Sequence, residues 1–306
     1  MLMYMEMIEI EAFVAIAQAG SFTRAAEKLR LSQPAVSRRI ELLERELGAP
    51  LFERFHGGAR LTQAGEAFLP HARQVLAAAR DGTAAVLALE GGETGTVVLA
   101  LVGTLASTGL TARLHAFRDT HPQVRLALRT ARSAEVSALV LQGEAALGLR
   151  YFPDPSPKIS SRFVEDEELV VVCAGHARLA EPHASEPAAL AGLAWVGFPV
   201  GIGSSGEPFT HVLERQLLRA GLEDAEIIPI DSLTAQKRLI EADFGLGLLP
   251  RSSIEEELRL GTLRVLPIDV LATTVPVFAL QRRDGYLLPA ARRLLTMLTA
   301  TEPRCC

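Results

Sequence analysis

The stretch from Ser21 to Leu51 constrains this chain more than any other, because it carries the start signals, turn and apolar spacing of two short helices meeting at a corner. Ser21 is placed to cap a helix with Ala25, Ala26 and Leu29 on one side. After a turn at Arg30-Leu31, Ser32 is placed to cap the next helix, which tolerates Pro34 in its first turn. In that second helix Val36, Ile40, Leu43 and Leu47 form a buried stripe at helical spacing. The stripe turns Pro34, Ser37, Arg38 and Glu41 to the opposite side and leaves Gln33 at the exposed N-terminal end.

A short polar face of this kind suits the major groove. Glutamine pairs with adenine through two hydrogen bonds, serine reaches base edges or phosphate, and arginine grips guanine or phosphate. An ordinary two-helix corner shares the spacing, so charge has to separate the two readings. Residues 24–39 hold Arg24, Lys28, Arg30, Arg38 and Arg39 against Glu27 alone, a net of +4 in a chain of −5, which leaves −9 elsewhere. A cationic patch on an otherwise acidic protein points to a localised polyanion site.

The surrounding residues carry a family resemblance. Phe13-Val14-Ala15-Ile16-Ala17, Gly20-Ser21-Phe22-Thr23-Arg24-Ala25-Ala26, Leu31-Ser32-Gln33-Pro34-Ala35-Val36-Ser37, Leu51-Phe52-Glu53-Arg54 and Leu61-Thr62-Gln63-Ala64-Gly65 together resemble the N-terminal domain of LysR-type transcriptional regulators. The resemblance implies an all-α winged helix-turn-helix over residues 1–61, with the wing near Phe55 to Leu61. That wing is poor in basic residues, which leaves Arg54 and Arg60 as its phosphate contacts. Gln33, Pro34, Ser37 and Arg38 are expected to face bases and nearby backbone, and Ser21, Thr23, Arg24, Ser32, Arg54 and Arg60 to position the domain on phosphates.

Thr62 is placed to cap a long helix reaching Leu89. Phe68, Ala72, Val75, Ala79, Gly82, Val86 and Leu89 alternate spacings of four and three, the seam of a two-helix coiled coil, although Pro70 and Gly82 weaken the helix. A second copy on the neighbouring half-site would raise affinity, which favours a dimer over a helix lying on its own domain. Residues 62–94 are therefore expected to form a linker and dimerisation helix ending in the flexible Gly91-Gly92-Glu93-Thr94-Gly95.

Beyond the linker, short apolar strands alternate with helices, which predicts a parallel-rich α/β domain over 95–306. Strands are expected at 96–102, 124–129, 146–149, 169–174, 194–197, 226–230, 246–249 and 275–281. Helices are expected near 105–121, 133–142, 210–220, 232–242, 252–260 and 289–299. Ligands of such sheets sit off the carboxyl ends of the strands, against helix N-termini. Thr104, Leu105, Thr130, Arg132, Ser133, Arg150, Gly203, Ser204, Phe209, Asp231 and Ser232 lie at those ends and are the candidate ligand contacts.

His121-Pro122-Gln123-Val124 and Gly245-Leu246-Gly247-Leu248-Leu249-Pro250 resemble the LysR-type effector domain. The resemblance implies two Rossmann-like subdomains of periplasmic-binding-protein type, 95–164 with 269–300 and 165–268, joined by two crossings around an effector cleft. Val102-Gly103-Thr104-Leu105, Arg150 and Phe209-Thr210-His211-Val212 resemble the branch that senses aromatic acids or muconates. In that branch a hydroxyl at the position of Thr104 and an arginine at that of Arg150 touch the effector carboxylate. The implied partners are a double-stranded DNA operator, a small organic acid, further copies of the chain as a dimer of dimers, and RNA polymerase.

An oxidoreductase alternative rests on Gly201-Ile202-Gly203-Ser204-Ser205-Gly206, which fits G-x-G-x-x-G with Asp231 closing the next strand. Pro199 and Pro208 disturb the strand-turn-helix geometry, and Glu207 would set negative charge beside a pyrophosphate, so NAD is not expected. No G-x-S-x-G, H-E-x-x-H or Walker A pattern occurs, and the seven histidines show no catalytic or metal spacing. Cys173 follows an apolar run and is expected to be a core residue. Cys305 and Cys306 are expected to lie in a frayed tail. No cofactor or metal is expected. With no bilayer-length apolar run and no signal-like start, the expected location is the cytoplasm.

Overall fold

The computed structural model describes residues 5–89, 95–106, 108–177, 187–200 and 208–300. The chain divides into two compact units, residues 1–92 with 141–144, and residues 93–140 with 145–306. Residues 91–94 of the expected linker, the candidate contacts Gly203 and Ser204, and the tail cysteines lie outside the described residues.

In the first unit α1 (Met7–Ala19), α2 (Phe22–Leu29) and α3 (Gln33–Leu47) precede a hairpin of β1 (Phe52–Phe55) and β2 (Gly58–Leu61), and α4 (Gln63–Leu89) follows. Both expected caps form. The Ser21 hydroxyl accepts from the Arg24 N–H at 3.5 Å, and the Ser32 hydroxyl from the Ala35 N–H at 3.3 Å. Arg30 closes α2 in the left-handed region at φ 56°, where the sequence placed the turn. Ala25 and Ala26 are buried and let α2 lie close to its neighbours, while Phe13 packs against both Phe52 and Phe68. The hairpin is tied down at both ends: the Ala59 N–H donates to Gly20 O at 2.9 Å, and Glu44 Oε1 accepts from the N–H groups of Leu51 and Phe52 at 2.6 and 3.2 Å.

Thr62 caps α4, its hydroxyl accepting from the Gly65 N–H at 3.0 Å. Gly65 is required there, since a β-carbon would fall 2.2 Å from Leu51 O. Of the expected seam, Ala72 is buried and Phe68 packs into the core of its own unit, whereas Val75 and Val86 stand 42% and 63% exposed. The first two seam positions are therefore used within the unit, and Val75 and Val86 present an exposed apolar edge.

The second unit is built on one sheet. Its elements are β3 (Gly95–Val102), α5 (Thr108–Thr120), β4 (Val124–Ala131), α6 (Ser133–Leu141), β5 (Leu147–Tyr151), β6 (Ile159–Ala174), β7 (Trp195–Gly197), α7 (Val212–Arg219), β8 (Ile227–Pro229), α8 (Leu233–Glu241), β9 (Leu246–Pro250), α9 (Glu255–Leu260), β10 (Leu263–Leu266), β11 (Thr273–Arg282) and α10 (Pro289–Thr299). Among the described residues the strand order is β4-β3-β5-β11-β6-β9-β7-β8, with β10 on β6. Two parallel triads, β4-β3-β5 and β9-β7-β8, are joined through antiparallel β11 and β6.

The sheet is thus mixed rather than parallel-rich, and β6 is ten residues longer at its start than the expected strand at 169–174. Residues 159–168 are too polar to announce a buried strand. They become one by pairing with β11, from Ile159 against Arg282 to Glu168 against Thr274. The first triad packs Leu99, Leu101, Leu147 and Leu149 under Phe117 of α5 and Leu294 of α10. The second packs Trp195 and Leu246 under Leu213 and Leu217 of α7. Cys173 is a buried residue of that second core, and burial raises its thiol pKa, which keeps it protonated.

Candidate functional site

In the first unit Gln33, Pro34 and Arg38 of α3 are exposed, as are Thr23 and Arg24 at the start of α2. Ser37 is the exception. It is only 8% exposed, and its hydroxyl accepts a 3.0 Å hydrogen bond from Gln33 Nε2. A helix turns about 100° per residue, so Ser37 stands on the flank of the stripe begun by Val36, and it orients Gln33 rather than presenting its own hydroxyl. Arg54 lies over the Phe22 ring at 4.3 Å and Arg60 over the Phe55 ring at 5.1 Å. Cation–π contact thus steadies both arginines of the hairpin, which are exposed and stand on its opposite faces.

In the second unit the carboxyl ends of β3 and β5 bring together the hydroxyls of Thr104 and Tyr151. Both oxygens are buried side by side, and neither has a hydrogen-bond partner of good geometry among the described residues. Burial, reinforced by the charge of Glu167 and opposed by Thr104, raises the Tyr151 pKa, so the phenol remains a donor at neutral pH. Phe209, just before α7, stacks on the Tyr151 ring at 4.1 Å and 8°, and Phe198 after β7 meets Phe209 edge-on at 5.8 Å. Phe152, immediately after Tyr151, holds a positive φ of 60° and donates its N–H to Pro276 O. A left-handed non-glycine residue beside a buried unsatisfied pair marks a strained corner.

Arg150 does not join this corner. Strand alternation sends it to the face opposite Tyr151, where its Nη1 donates to Ser137 Oγ and Asp154 Oδ2, both at 2.9 Å. The expected joint contact of Thr104 and Arg150 with an effector carboxylate is therefore corrected, because the guanidinium is buried and already paired with Asp154. Ser133 is buried and accepts the Ser137 hydroxyl on its carbonyl, while Leu105 belongs to the core under α5. Thr130, Arg132 and Asp231 are exposed, and Ser232 caps α8 through the Ala235 N–H at 3.4 Å. Sequence reasoning passed over Tyr151, Phe198 and Asp154, the residues that define this corner and its neighbouring ion pair. A tyrosine ending an apolar strand was the available signal.

Residues 8–66 match the model of the bacterial regulatory helix-turn-helix protein of the lysR family, and residues 90–302 match the LysR substrate binding domain. The chain belongs to the LysR family. Among curated LysR-type relatives, the regulator CbbR of Rhodospirillum rubrum is 27% identical over 97% of both chains. TfdS of Cupriavidus pinatubonensis is 32% identical over 81% of this chain and 83% of its own. The crystal structure of CbnR, a LysR family transcriptional regulator, covers 97% of this chain and 100% of that one at 25% identity and a TM-score of 0.69. A second structure, CbnR complexed with its target DNA, covers 96% and 99% at 26% identity and a TM-score of 0.67.

This LysR-family chain is accordingly a DNA-binding transcriptional regulator with an effector domain, not an enzyme. The exposed end of α3 and the hairpin belong to its helix-turn-helix, and the Thr104–Tyr151 corner to its substrate-binding domain. The oxidoreductase alternative finds no support among these LysR matches.

Proposed function

We propose that the regulator reads a double-stranded operator with Gln33, Pro34 and Arg38, and that Ser21, Thr23, Arg24, Ser32, Arg54 and Arg60 hold it on phosphates. Pairing through α4 sets two such faces on neighbouring half-sites, and two dimers form the working assembly. The similar CbnR, solved with its target DNA, supports the operator reading.

Control comes from a small organic acid bound at the Thr104–Tyr151 corner. The observation that carries this reading is the pair of buried hydroxyls, which face each other and meet no partner of good geometry among the described residues. A buried polar group without a partner costs about 1–3 kcal/mol, and a carboxylate accepting from both removes that cost. Tyr151, Phe198 and Phe209 supply ring faces, which favours an unsaturated or aromatic body on the acid. Phe209 comes from the second half of the sheet and Tyr151 from the first, so an effector that extends or displaces their stack also resets how the two halves meet.

Calorimetry with benzoate and cis,cis-muconate tests the reading. Thr104→Val and Tyr151→Phe should each weaken saturable binding about tenfold, the worth of one charge-assisted hydrogen bond, and leave basal operator binding unchanged. Equal affinity in wild type and both variants rejects the corner.

A further inference from the structure

At the far end of the first half-sheet, β11, the start of β6 and α10 line a solvent-open cavity of about 510 Å³. Tyr151 pairs with Val277, and Arg282 lies five residues further along β11, about 17 Å from the corner described above. Arg162 projects from β6 opposite Ala279, on the face covered by α10, where Arg292 and Thr296 stand one turn apart. Arg282 folds its guanidinium over Gly285, where a β-carbon would fall 2.4 Å from Nε. The neighbouring Arg283 is steadied by a 2.9 Å bond from its Nε to Pro157 O, and Tyr286 completes the rim.

Four arginines line this cavity and no acidic residue does, while Asp284 on the turn stays outside the lining. Acidic partners stand beside arginines in other parts of the unit: Arg113 with Glu165 at 2.8 Å, Arg150 with Asp154 at 2.9 Å, Arg238 with Glu241 at 2.6 Å. Arg162 and Arg292 make no ion pair among the described residues. Like charges drawn around one concavity repel each other, and guanidinium forks match phosphate and carboxylate oxygens bidentately. The volume falls within the range of small-molecule sites, which a flat protein partner would not need.

We infer that this cavity is a second ligand site, separate from the Thr104–Tyr151 corner, for a small molecule carrying two or more negative charges as phosphate or carboxylate groups. It places a polyanion on the β11–α10 end of the domain, where binding needs neither the corner nor its acid.

The full chain is titrated by calorimetry with pyrophosphate, citrate and acetate. Saturable binding of one pyrophosphate or citrate per chain is expected, weakening as KCl rises, and acetate should give none. Preference for pyrophosphate or for citrate assigns the phosphate or the polycarboxylate source. Arg162→Ala and Arg292→Ala should each weaken binding at least about tenfold, whereas Arg125→Ala, an equal charge loss on exposed β4, should not. Thr296→Glu puts a carboxylate into the cavity from an exposed helical position that tolerates glutamate, and should abolish binding with the fold intact by circular dichroism. Absence of saturable binding to both polyanions, or affinity equal in wild type, Arg292→Ala and Thr296→Glu, overturns the inference.

Discussion

Gln33 Nε2 donates a 3.0 Å hydrogen bond to the hydroxyl of Ser37 across one turn of α3, so the exposed amide is held by a nearly buried serine. Gln33→Ala should therefore relax discrimination at one base pair per half-site by about 1–3 kcal/mol while non-specific affinity stays level. Ser37→Ala should act in the same direction but more weakly, and the double variant should cost less than the sum, as expected when one residue works through the other. Competition binding with single-base operator variants measures all three. A larger loss in Ser37→Ala than in Gln33→Ala would show that Ser37 meets the base itself.

The α4 edge gives a second test with a built-in contrast. Val86→Glu and Val75→Glu change exposed positions and should weaken self-association without melting the first unit. Ala72→Glu buries a charge in the unit's own core and should unfold it instead. Sedimentation at micromolar concentration separates these outcomes, and a monomeric wild type would remove the dimer reading.

Arg150 and Asp154 are 8% and 6% exposed at their side chains, so removing either partner strands a buried charge. Asp154→Ala should cost about 3–5 kcal/mol of stability, and pairing Arg150→Met with Asp154→Leu should restore most of it. Urea denaturation checks both. An Asp154→Ala chain as stable as wild type would mean the guanidinium is free to serve a ligand.

Glu167 holds two bonds from Ser252, to its Oε2 from the hydroxyl at 2.8 Å and to its Oε1 from the N–H at 3.3 Å, yet burial outweighs them and raises its pKa above 4.5. A carboxyl that binds its proton more tightly when folded adds stability fully below the unfolded pKa, and this is lost as pH rises through the folded value. Glu167→Gln cannot ionise, so its stability should fall less than that of wild type between about pH 4.5 and neutrality. Thermal melts across that range decide it. Parallel curves for the two chains would show that burial does not set this proton.

Local chemistry made the first unit legible. Ser21 and Ser32 cap helices within three residues of themselves, and the Val36–Ile40–Leu43 stripe repeats at the helix's own period, so α2 and α3 follow from neighbours in sequence. The alternation of strands and helices likewise announced the α/β class of the second unit. The polar first half of β6 carried no such signal, because its strand comes from pairing with β11, more than a hundred residues away.

Two adjacent residues mark the same boundary at the candidate site. The sequence alone placed a strand at 146–149 with Arg150 just after it; the structure carries that strand through Tyr151, and the two-residue period of extended backbone then points Arg150 and Tyr151 opposite ways. Only the tertiary structure decided which side meets Phe209 and Thr104 and which meets Ser137 and Asp154, because a face acquires its chemistry from whatever distant elements pack against it. Charge made Arg150 the conspicuous residue in the sequence, and packing made Tyr151 the unsatisfied one.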